Sequence, residues 1–142
     1  MHGYNAGTEK IGLCAITPQE WLAYPGSVGR ASVGVLHVCD EDGLELAVGE
    51  TGLVYFSEGP EFTYHNDPER TAQTRNSLGW STLGDIGKVD HQGYLTLVDR
   101  RAFMIISGGV NIYPQEIAAI LIGHPALADA AVIGALSDEF GE

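Results

Sequence analysis

The chain has 142 residues, of which 44% are hydrophobic, and this length and composition allow one folded domain with a modest buried core. Its 19 acidic residues against 7 basic ones give a net charge of -12. That balance argues against a nucleic-acid-binding protein, because such proteins present a basic face to phosphate. Two cysteines are too few for a disulfide framework, and no long apolar stretch predicts a transmembrane segment. We therefore expect an intracellular, cytoplasmic protein.

The first part of the chain is predicted to be rich in β-strands. Its predicted elements are, in chain order, a loop at 25–30, a strand at 33–40, a turn at 40–43 and a strand from residue 52. Asp67, followed by Pro68, then predicts the start of a short helix that ends near Asn76. After this helix the pattern returns to strand, turn, strand, with a tight turn at 90–93 and a half-buried strand at 94–98.

The pattern of apolar residues and turn formers changes after Asp99. An apolar run ends at Gly108 and Gly109, and a helix is predicted from Pro114 to Gly123. Residues 126–136 then read as a buried strand. This order of elements predicts a second packing unit that begins near residue 100.

Several phrases of the sequence occur together in one known family. They are PGSVGR at 25–30, YHNDPE at 64–69, DRRAFMIISGGVNIYP at 99–114 and HPALADAAV at 124–132. Set in this order along nearly the whole chain, they resemble the adenylate-forming enzymes, and within them the acyl-CoA synthetase or fatty-acid–CoA ligase branch. The resemblance implies a β-rich α+β fold.

The resemblance also implies a domain organisation. Residues 1–99 would be the C-terminal part of the large AMP-binding domain, with a distorted β-barrel-like sheet. Residues 100–102 would form a hinge, and residues 103–142 would begin a small, mobile α/β domain that is truncated in this chain. The family's hinge usually carries Asp or Lys where this sequence has Ala102. Alanine still permits the backbone rotation that swings such a domain between two poses.

The segment NAGTEKIG at 5–12 resembles the family's Tyr-Gly-x-Thr-Glu motif. The resemblance makes Thr8 and Glu9 the candidate catalytic residues: Thr8 would face the α-phosphate of ATP and Glu9 would bind Mg²⁺, which prefers hard oxygen ligands. Asn5 and Gly7 would contact the nucleotide, although Asn5 stands where the family usually has an aromatic ring. Without the other motifs, Thr8 and Glu9 would read as ordinary turn or capping residues.

Two further residues resemble the family's ribose-binding pair. TLGDIG at 82–87 matches its Thr-Gly-Asp element with one extra leucine, so Asp85 would accept hydrogen bonds from the ribose hydroxyls. Arg100 matches the arginine of the Gly-Arg element and would donate to ribose or phosphate. The alternatives are a plain turn at Asp85 and a surface ion pair between the two residues.

Beyond the hinge, Ser107, Gly108 and Gly109 would line the channel for the pantetheine arm of CoA, where glycine permits close approach of the backbone. The alternative is that Gly108 and Gly109 only make a hairpin turn. The family's phosphate loop and catalytic lysine are absent from this sequence, whose lysines, Lys10 and Lys88, lie in other settings. The chain alone is therefore expected to be an inactive fragment.

The intact enzyme implied by the resemblance uses ATP, Mg²⁺ and CoA to convert a fatty or related carboxylic acid to its thioester, through an acyl-adenylate. Two alternatives remain open for the chain itself. One is a non-catalytic interaction module whose strand edges pair with a partner or with a second copy. The other is nucleotide binding through Glu9, Asp85 and Arg100 without turnover.

Overall fold

The computed structural model of the protein describes residues 3–136 and divides the chain into two compact units, Met1–Leu97 and Val98–Glu142. The strands are β1 (Gly3–Asn5), β2 (Leu13–Ile16), β3 (Ser27–Val33), β4 (Val35–Cys39), β5 (Gly52–Ser57), β6 (Asp85–Val89), β7 (Leu95–Arg100), β8 (Ile105–Ser107) and β9 (Val110–Ile112). The helices are α1 (Pro18–Ala23), α2 (Pro68–Gln73) and α3 (Pro114–Ile122), and Arg101–Phe103 forms a single 3-10 turn. None of the helices described between residues 3 and 136 is long and apolar enough to cross a membrane.

The main feature of the fold is a seven-stranded sheet with the order β1-β2-β3-β7-β6-β5-β4. Its neighbours pair antiparallel, for example β4 with β5, where Val35 faces Ser57 and Cys39 faces Leu53. The β-rich class predicted from the sequence is confirmed. Because β1 and β4 are the edge strands, the described part of the sheet is open and does not close into a barrel.

The core of the first unit is built around strands of this sheet. Its buried members are Cys14, Val54 and Leu95, and partly buried Val28, Leu36, Phe56, Val89 and Leu97 pack against them. Burial raises the pKa of both cysteine thiols, Cys14 and Cys39, to about 11, so they remain protonated and act as small apolar side chains.

The prediction of a loop at 25–30 was wrong for most of its length, because β3 begins at Ser27. Gly26 and Gly29 read as turn signals, but Gly29 lies inside the strand with φ of 102°. A Cβ at Gly29 would collide with the backbone carbonyl of Ala15 on β2. Glycine is required at this position by the close approach of two strands, which sequence alone does not distinguish from a turn.

Local capping chemistry explains the two short helices of the first unit. Thr17 and Glu20 form a capping box at α1, in which each side chain accepts from the other's backbone N–H. Asp67 caps α2 by accepting from the Arg70 backbone N–H, with Pro68 at the first helical position, as predicted. α2 ends at Gln73, a turn before the predicted end.

In the second unit β8 and β9 form a hairpin, with Ile105 opposite Ile112. α3 runs from Pro114 to Ile122 with Gly123 at its C-cap, as predicted. The predicted buried strand at 126–136 was wrong, because these residues form no regular structure and are mostly exposed. An apolar run becomes a strand only where a neighbouring strand satisfies its backbone, and the described residues provide none for this segment. Residues 137–142 of the predicted second domain lie outside the described residues.

Candidate functional site

A small cleft of about 20 Å³ opens in the first unit between the loop after β1 and the start of β6. It is lined by Asn5, Ala6, Gly7, Ile11, Gly12, Val54, Phe56, Leu83 and Asp85. The cleft therefore brings together Asn5, Gly7 and Asp85, three of the residues predicted to bind nucleotide. Its volume holds little more than a water-sized group, so a larger ligand would lie across its mouth.

Two glycines hold the loop at 6–12 against the sheet. A Cβ at Gly7 would collide with the Leu83 side chain, and a Cβ at Gly12 would collide with the Phe56 ring. Leu83 is the residue by which TLGDIG departs from a plain Thr-Gly-Asp element, and its side chain is what occupies the space over Gly7. The extra leucine thus forms one wall of the cleft.

Asp85 is positioned by the turn that precedes it. The buried Thr82 hydroxyl donates to the Val54 carbonyl at 2.7 Å and accepts from the Gly84 backbone N–H at 3.0 Å. Gly84 has φ of 80°, a conformation that favours glycine. These contacts anchor the turn to β5 and fix the backbone at the start of β6, where the Asp85 side chain reaches the cleft.

The Glu9 carboxylate is held on both oxygens. Thr8 Oγ1 donates to Glu9 Oε2 at 2.9 Å, and the Tyr64 hydroxyl donates to Glu9 Oε1 at 2.9 Å. The pKa of Glu9 is lowered by its own backbone N–H, then by the Tyr64 hydroxyl and Thr8, so the group is ionised near neutral pH. The Lys10 backbone N–H also donates to the Gly7 carbonyl, so Thr8 and Glu9 lie in a backbone turn, as the alternative interpretation of these residues expects.

The chemistry of this donor set fits Mg²⁺. Residues 3–136 contain no group of three or more His, Cys, Asp or Glu side chains that could hold a metal ion. A cation at Glu9 would therefore take one carboxylate, and at most a hydroxyl, from the chain. Mg²⁺ binds in this way, because it dehydrates reluctantly and completes its shell with waters and substrate phosphates.

The remaining predicted residues lie in the second unit. Arg100 is exposed at the end of β7, and Ala102 is exposed in the 3-10 turn that follows. Because Asp85 and Arg100 belong to different units, the prediction that they bind the same ribose stays a prediction. Asp99 is buried: its carboxylate accepts from the Arg100 N–H at 2.7 Å and from the Gln115 N–H at 3.0 Å, in the first turn of α3.

Ser107, Gly108 and Gly109 form the end of β8 and the turn of the β8–β9 hairpin, where Ser107 pairs with Val110. Gly108 and Gly109 have φ of 57° and 80°, the two positive values that a two-residue hairpin turn of type I′ requires. The hairpin alternative therefore holds for the glycines, and their role toward CoA stays a prediction.

No protein-family model matches the chain. It is 37% identical over 143 residues to a long-chain-fatty-acid–CoA ligase of Mycobacterium tuberculosis, which covers 100% of this chain and 28% of that ligase. It is 36% identical over 132 residues to a 2-succinylbenzoate–CoA ligase of Bacillus cereus, covering 92% of this chain and 27% of that ligase.

Its fold is similar to that of o-succinylbenzoate–CoA synthetase from Bacillus subtilis, solved in complex with an acyl-adenylate intermediate. The TM-score is 0.82 at 29% identity, covering 99% of this chain and 29% of the synthetase. The chain belongs to the adenylate-forming acyl-CoA ligases. It spans 27 to 29% of the length of these ligases. The family resemblance predicted from the sequence is confirmed.

Relative to the family motifs, sequence reasoning missed Tyr64 and Phe56. Tyr64 belongs to the ligase-like phrase YHNDPE, but it lies 55 positions from Glu9 and no spacing rule connects the two. Phe56 is an ordinary alternating residue of β5 until the fold places it under the loop at 6–12. Only the tertiary fold, which brings segments that are distant in the sequence together, reveals these contacts.

Proposed function

We propose that this chain acts as part of an ATP-dependent ligase that activates a fatty or related carboxylic acid as an acyl-adenylate and transfers the acyl group to CoA. The observation that supports the proposal best is the cleft in which Asn5, Gly7 and Asp85 meet, since these residues come from two separate ligase motifs. The relatives' activity as CoA ligases supports the reaction class.

Each residue of the site has a task that suits its chemistry. The Asp85 carboxylate can accept hydrogen bonds from both hydroxyls of a ribose. The Thr8 hydroxyl can donate a hydrogen bond to the α-phosphate, and the Glu9 carboxylate offers hard oxygens to Mg²⁺, which would supply charge neutralisation at the phosphates. Asn5 and the Gly7 backbone would contact the base side of the nucleotide.

The second unit would supply the remaining contacts. The Arg100 guanidinium can donate through its rigid fork to ribose or phosphate. The exposed segment at 100–102 would serve as the hinge, and the open turn after Ser107 would approach the pantetheine arm of CoA. A Cβ at Gly109 would meet nothing within 4 Å, so this turn leaves space for a ligand.

The chain alone is expected to bind nucleotide without turnover. Acyl activation needs a cation at the developing charge between carboxylate and phosphate, and loss of one comparable donor costs about 2.7 to 4 kcal/mol of transition-state stabilisation. The only lysines, Lys10 and Lys88, lie in a turn and on β6, outside the setting of the ligases' catalytic lysine.

Calorimetric titration of the purified chain with AMP tests the nucleotide site. Asp85→Asn should weaken AMP binding by about tenfold or more, because the hydrogen bonds lost are to a charged acceptor. Asp42→Asn is the matched control, since Asp42 is an exposed turn residue of the same unit. If wild type does not bind AMP at millimolar concentration, or if both variants weaken binding equally, the nucleotide site is wrong and the interaction-module alternative stands.

A further inference from the structure

Tyr64 connects the Glu9 loop to a segment that the ligase motifs of the site do not include. Its hydroxyl donates to Glu9 Oε1 at 2.9 Å, while Glu9 Oε2 accepts from Thr8 on the same loop. Glu9 is only half-buried, so without a second contact its side chain could occupy several rotamers. A donor on each oxygen restricts the plane and direction of the carboxylate.

Tyr64 is itself held in place by its neighbours. Its backbone N–H donates to the Thr71 hydroxyl at 2.9 Å, and that hydroxyl donates to the Asp67 carbonyl at 2.9 Å. The Arg70 guanidinium lies 4.2 Å from the centre of the Tyr64 ring, and Phe62 packs its ring edge-on at 5.4 Å. The backbone of Tyr64 is thus hydrogen-bonded, and its ring is in contact with Arg70 and Phe62. The side chain therefore loses little conformational entropy when its hydroxyl binds Glu9.

The carbonyl before this ring is also anchored. Arg75 Nη2 donates to the Phe62 carbonyl at 3.0 Å, so the segment at 62–67 is attached to α2 and to the residues that follow it. Asn66 has φ of 56°, which turns the chain sharply between Tyr64 and the Asp67 cap. The segment therefore presents Tyr64 to the loop at 6–12 as a fixed support.

We propose that Tyr64 is a positioning residue, steadied by Arg70, that fixes the Glu9 carboxylate so that it can receive the Mg²⁺ ion of a bound nucleotide. The inference rests on the proposed function for the identity of the ligand, and on the contacts of Tyr64 for the assignment. Residues that orient a metal ligand through a hydrogen bond typically change metal affinity by about 10- to 100-fold when they are removed. Tyr64 therefore acts through Glu9 and does not itself touch the cation.

The first test needs neither ligand nor metal. Side-chain couplings of Glu9, measured by NMR on the free chain, should report one dominant rotamer in wild type and averaged rotamers in Tyr64→Phe. Tyr94→Phe is the matched control, because it removes another tyrosine-to-glutamate hydrogen bond of 2.9 Å, from Tyr94 to Glu20. Averaging of Glu9 in wild type, or equal averaging in both variants, overturns the positioning role.

The second test separates the metal from the nucleotide. ATP affinity is measured with and without Mg²⁺, and the ratio of the two dissociation constants gives the gain due to the metal. Tyr64→Phe should reduce this gain by about tenfold and leave the metal-free affinity unchanged. A purely structural role would lower both affinities and leave the ratio intact.

Two further variants complete the design. Arg70→Lys should reduce the gain in the same direction by a smaller factor, since it keeps the positive charge near Glu9 but removes the planar guanidinium that lies over the ring of Tyr64. Tyr94→Phe should leave the ratio at its wild-type value. If wild type binds no ATP, the proposed function fails, while the rotamer measurement still decides whether Tyr64 positions Glu9.

Discussion

The two units of the chain use their apolar residues differently. Among the described residues, every buried hydrophobic side chain except Ile105 and Ala118 lies in the first unit, and most of these are on the seven-stranded sheet. The second unit instead has many large apolar side chains exposed: Phe103, Ile106, Val110, Ile117, Ile120, Leu121, Ile122, Leu127, Ile133 and Leu136. The first unit is held by contacts between distant parts of the sequence, and the second by local turns and caps.

The comparison separates what local sequence signals can determine from what requires burial of apolar side chains. A glycine turn and a proline start are enough to define the β8–β9 hairpin and α3, but most of α3 remains exposed. Hydrophobic burial supplies most of the stability of a helix in a protein, so local signals alone give an element of low stability. The proposed nucleotide site, with Glu9 and Asp85, lies in the unit that has the core, which suits the rigid support that a preorganised site needs.

The largest difference between the units should appear when apolar side chains are shortened. Leu95→Ala removes a side chain with no exposure, and it should lower the free energy of unfolding of the first unit by about 3 to 5 kcal/mol. Ile120→Ala, where the side chain is 77% exposed, should change stability by less than about 0.5 kcal/mol.

Urea unfolding followed by tryptophan fluorescence measures the first effect, because both tryptophans, Trp21 and Trp80, lie in the first unit. Hydrogen exchange of the α3 amides measures the second. If Ile120→Ala destabilises α3 as strongly as Leu95→Ala destabilises the sheet, the exposed face of α3 is covered in solution, and the contrast between the units is lost.

An intermediate effect is expected at Asp99, a buried polar residue of the second unit. Asp99→Asn removes the charge that accepts from the Arg100 backbone N–H and from the Gln115 backbone N–H in the first turn of α3. The loss of this charge should cost about 0.3 to 1 kcal/mol of local stability, the usual value for an anion at a helix N-terminus. Hydrogen exchange of the α3 amides should rise accordingly.

Asp129→Asn provides the comparison in the same unit, since Asp129 is exposed and accepts from the neighbouring Ala130 N–H, away from α3. It should leave α3 exchange unchanged. Equal exchange in wild type and Asp99→Asn would show that the helix start is stabilised by something other than this carboxylate.

The same division explains how much was predictable from sequence. The Asp67 cap and the Pro114 start of α3 were predicted correctly, and the glycine turn at 108–109 was the alternative given for those two residues, because each depends on a few adjacent residues. The role of Gly29 was misread, since a strand glycine and a turn glycine have the same sequence signal. The contact of Tyr64 with Glu9 could not be predicted, because it depends on which distant segments the fold brings together.

The family motifs predict more of the candidate site than the hydrophobic periodicity does. What they fail to predict also has a physical reason. They identified Asn5, Gly7 and Asp85, which the fold does bring to one cleft. They did not indicate that Leu83 would cover Gly7, because an inserted residue has no counterpart in a plain Thr-Gly-Asp element. The structural effect of a residue that departs from a motif becomes visible only in how its side chain packs.

The smallest expected effect is a pH dependence of the first unit that arises at Glu20. The Thr17 backbone N–H, then the Thr17 and Tyr94 hydroxyls, with Arg30 contributing least, lower the pKa of Glu20 from 4.5 to about 2. Because the folded-state pKa is the lower one, Glu20 stabilises the folded unit above about pH 4.5, and that contribution is lost as the pH falls toward 2.

Glu20→Gln should therefore flatten the pH dependence of unfolding between these two values, and the change should be modest because the carboxylate is solvated and screened by salt. Glu41→Gln, in the exposed turn after β4, should leave the pH profile as in wild type. Tryptophan fluorescence at pH 6 and at pH 3 is a suitable measurement, since Trp21 follows Glu20 directly in α1. A pH profile that is steeper in Glu20→Gln than in wild type would mean that the capping box does not hold Glu20 ionised. The loss of stability of the first unit in acid would then arise from other carboxylates. Glu9 is one of them, since its pKa is also lowered.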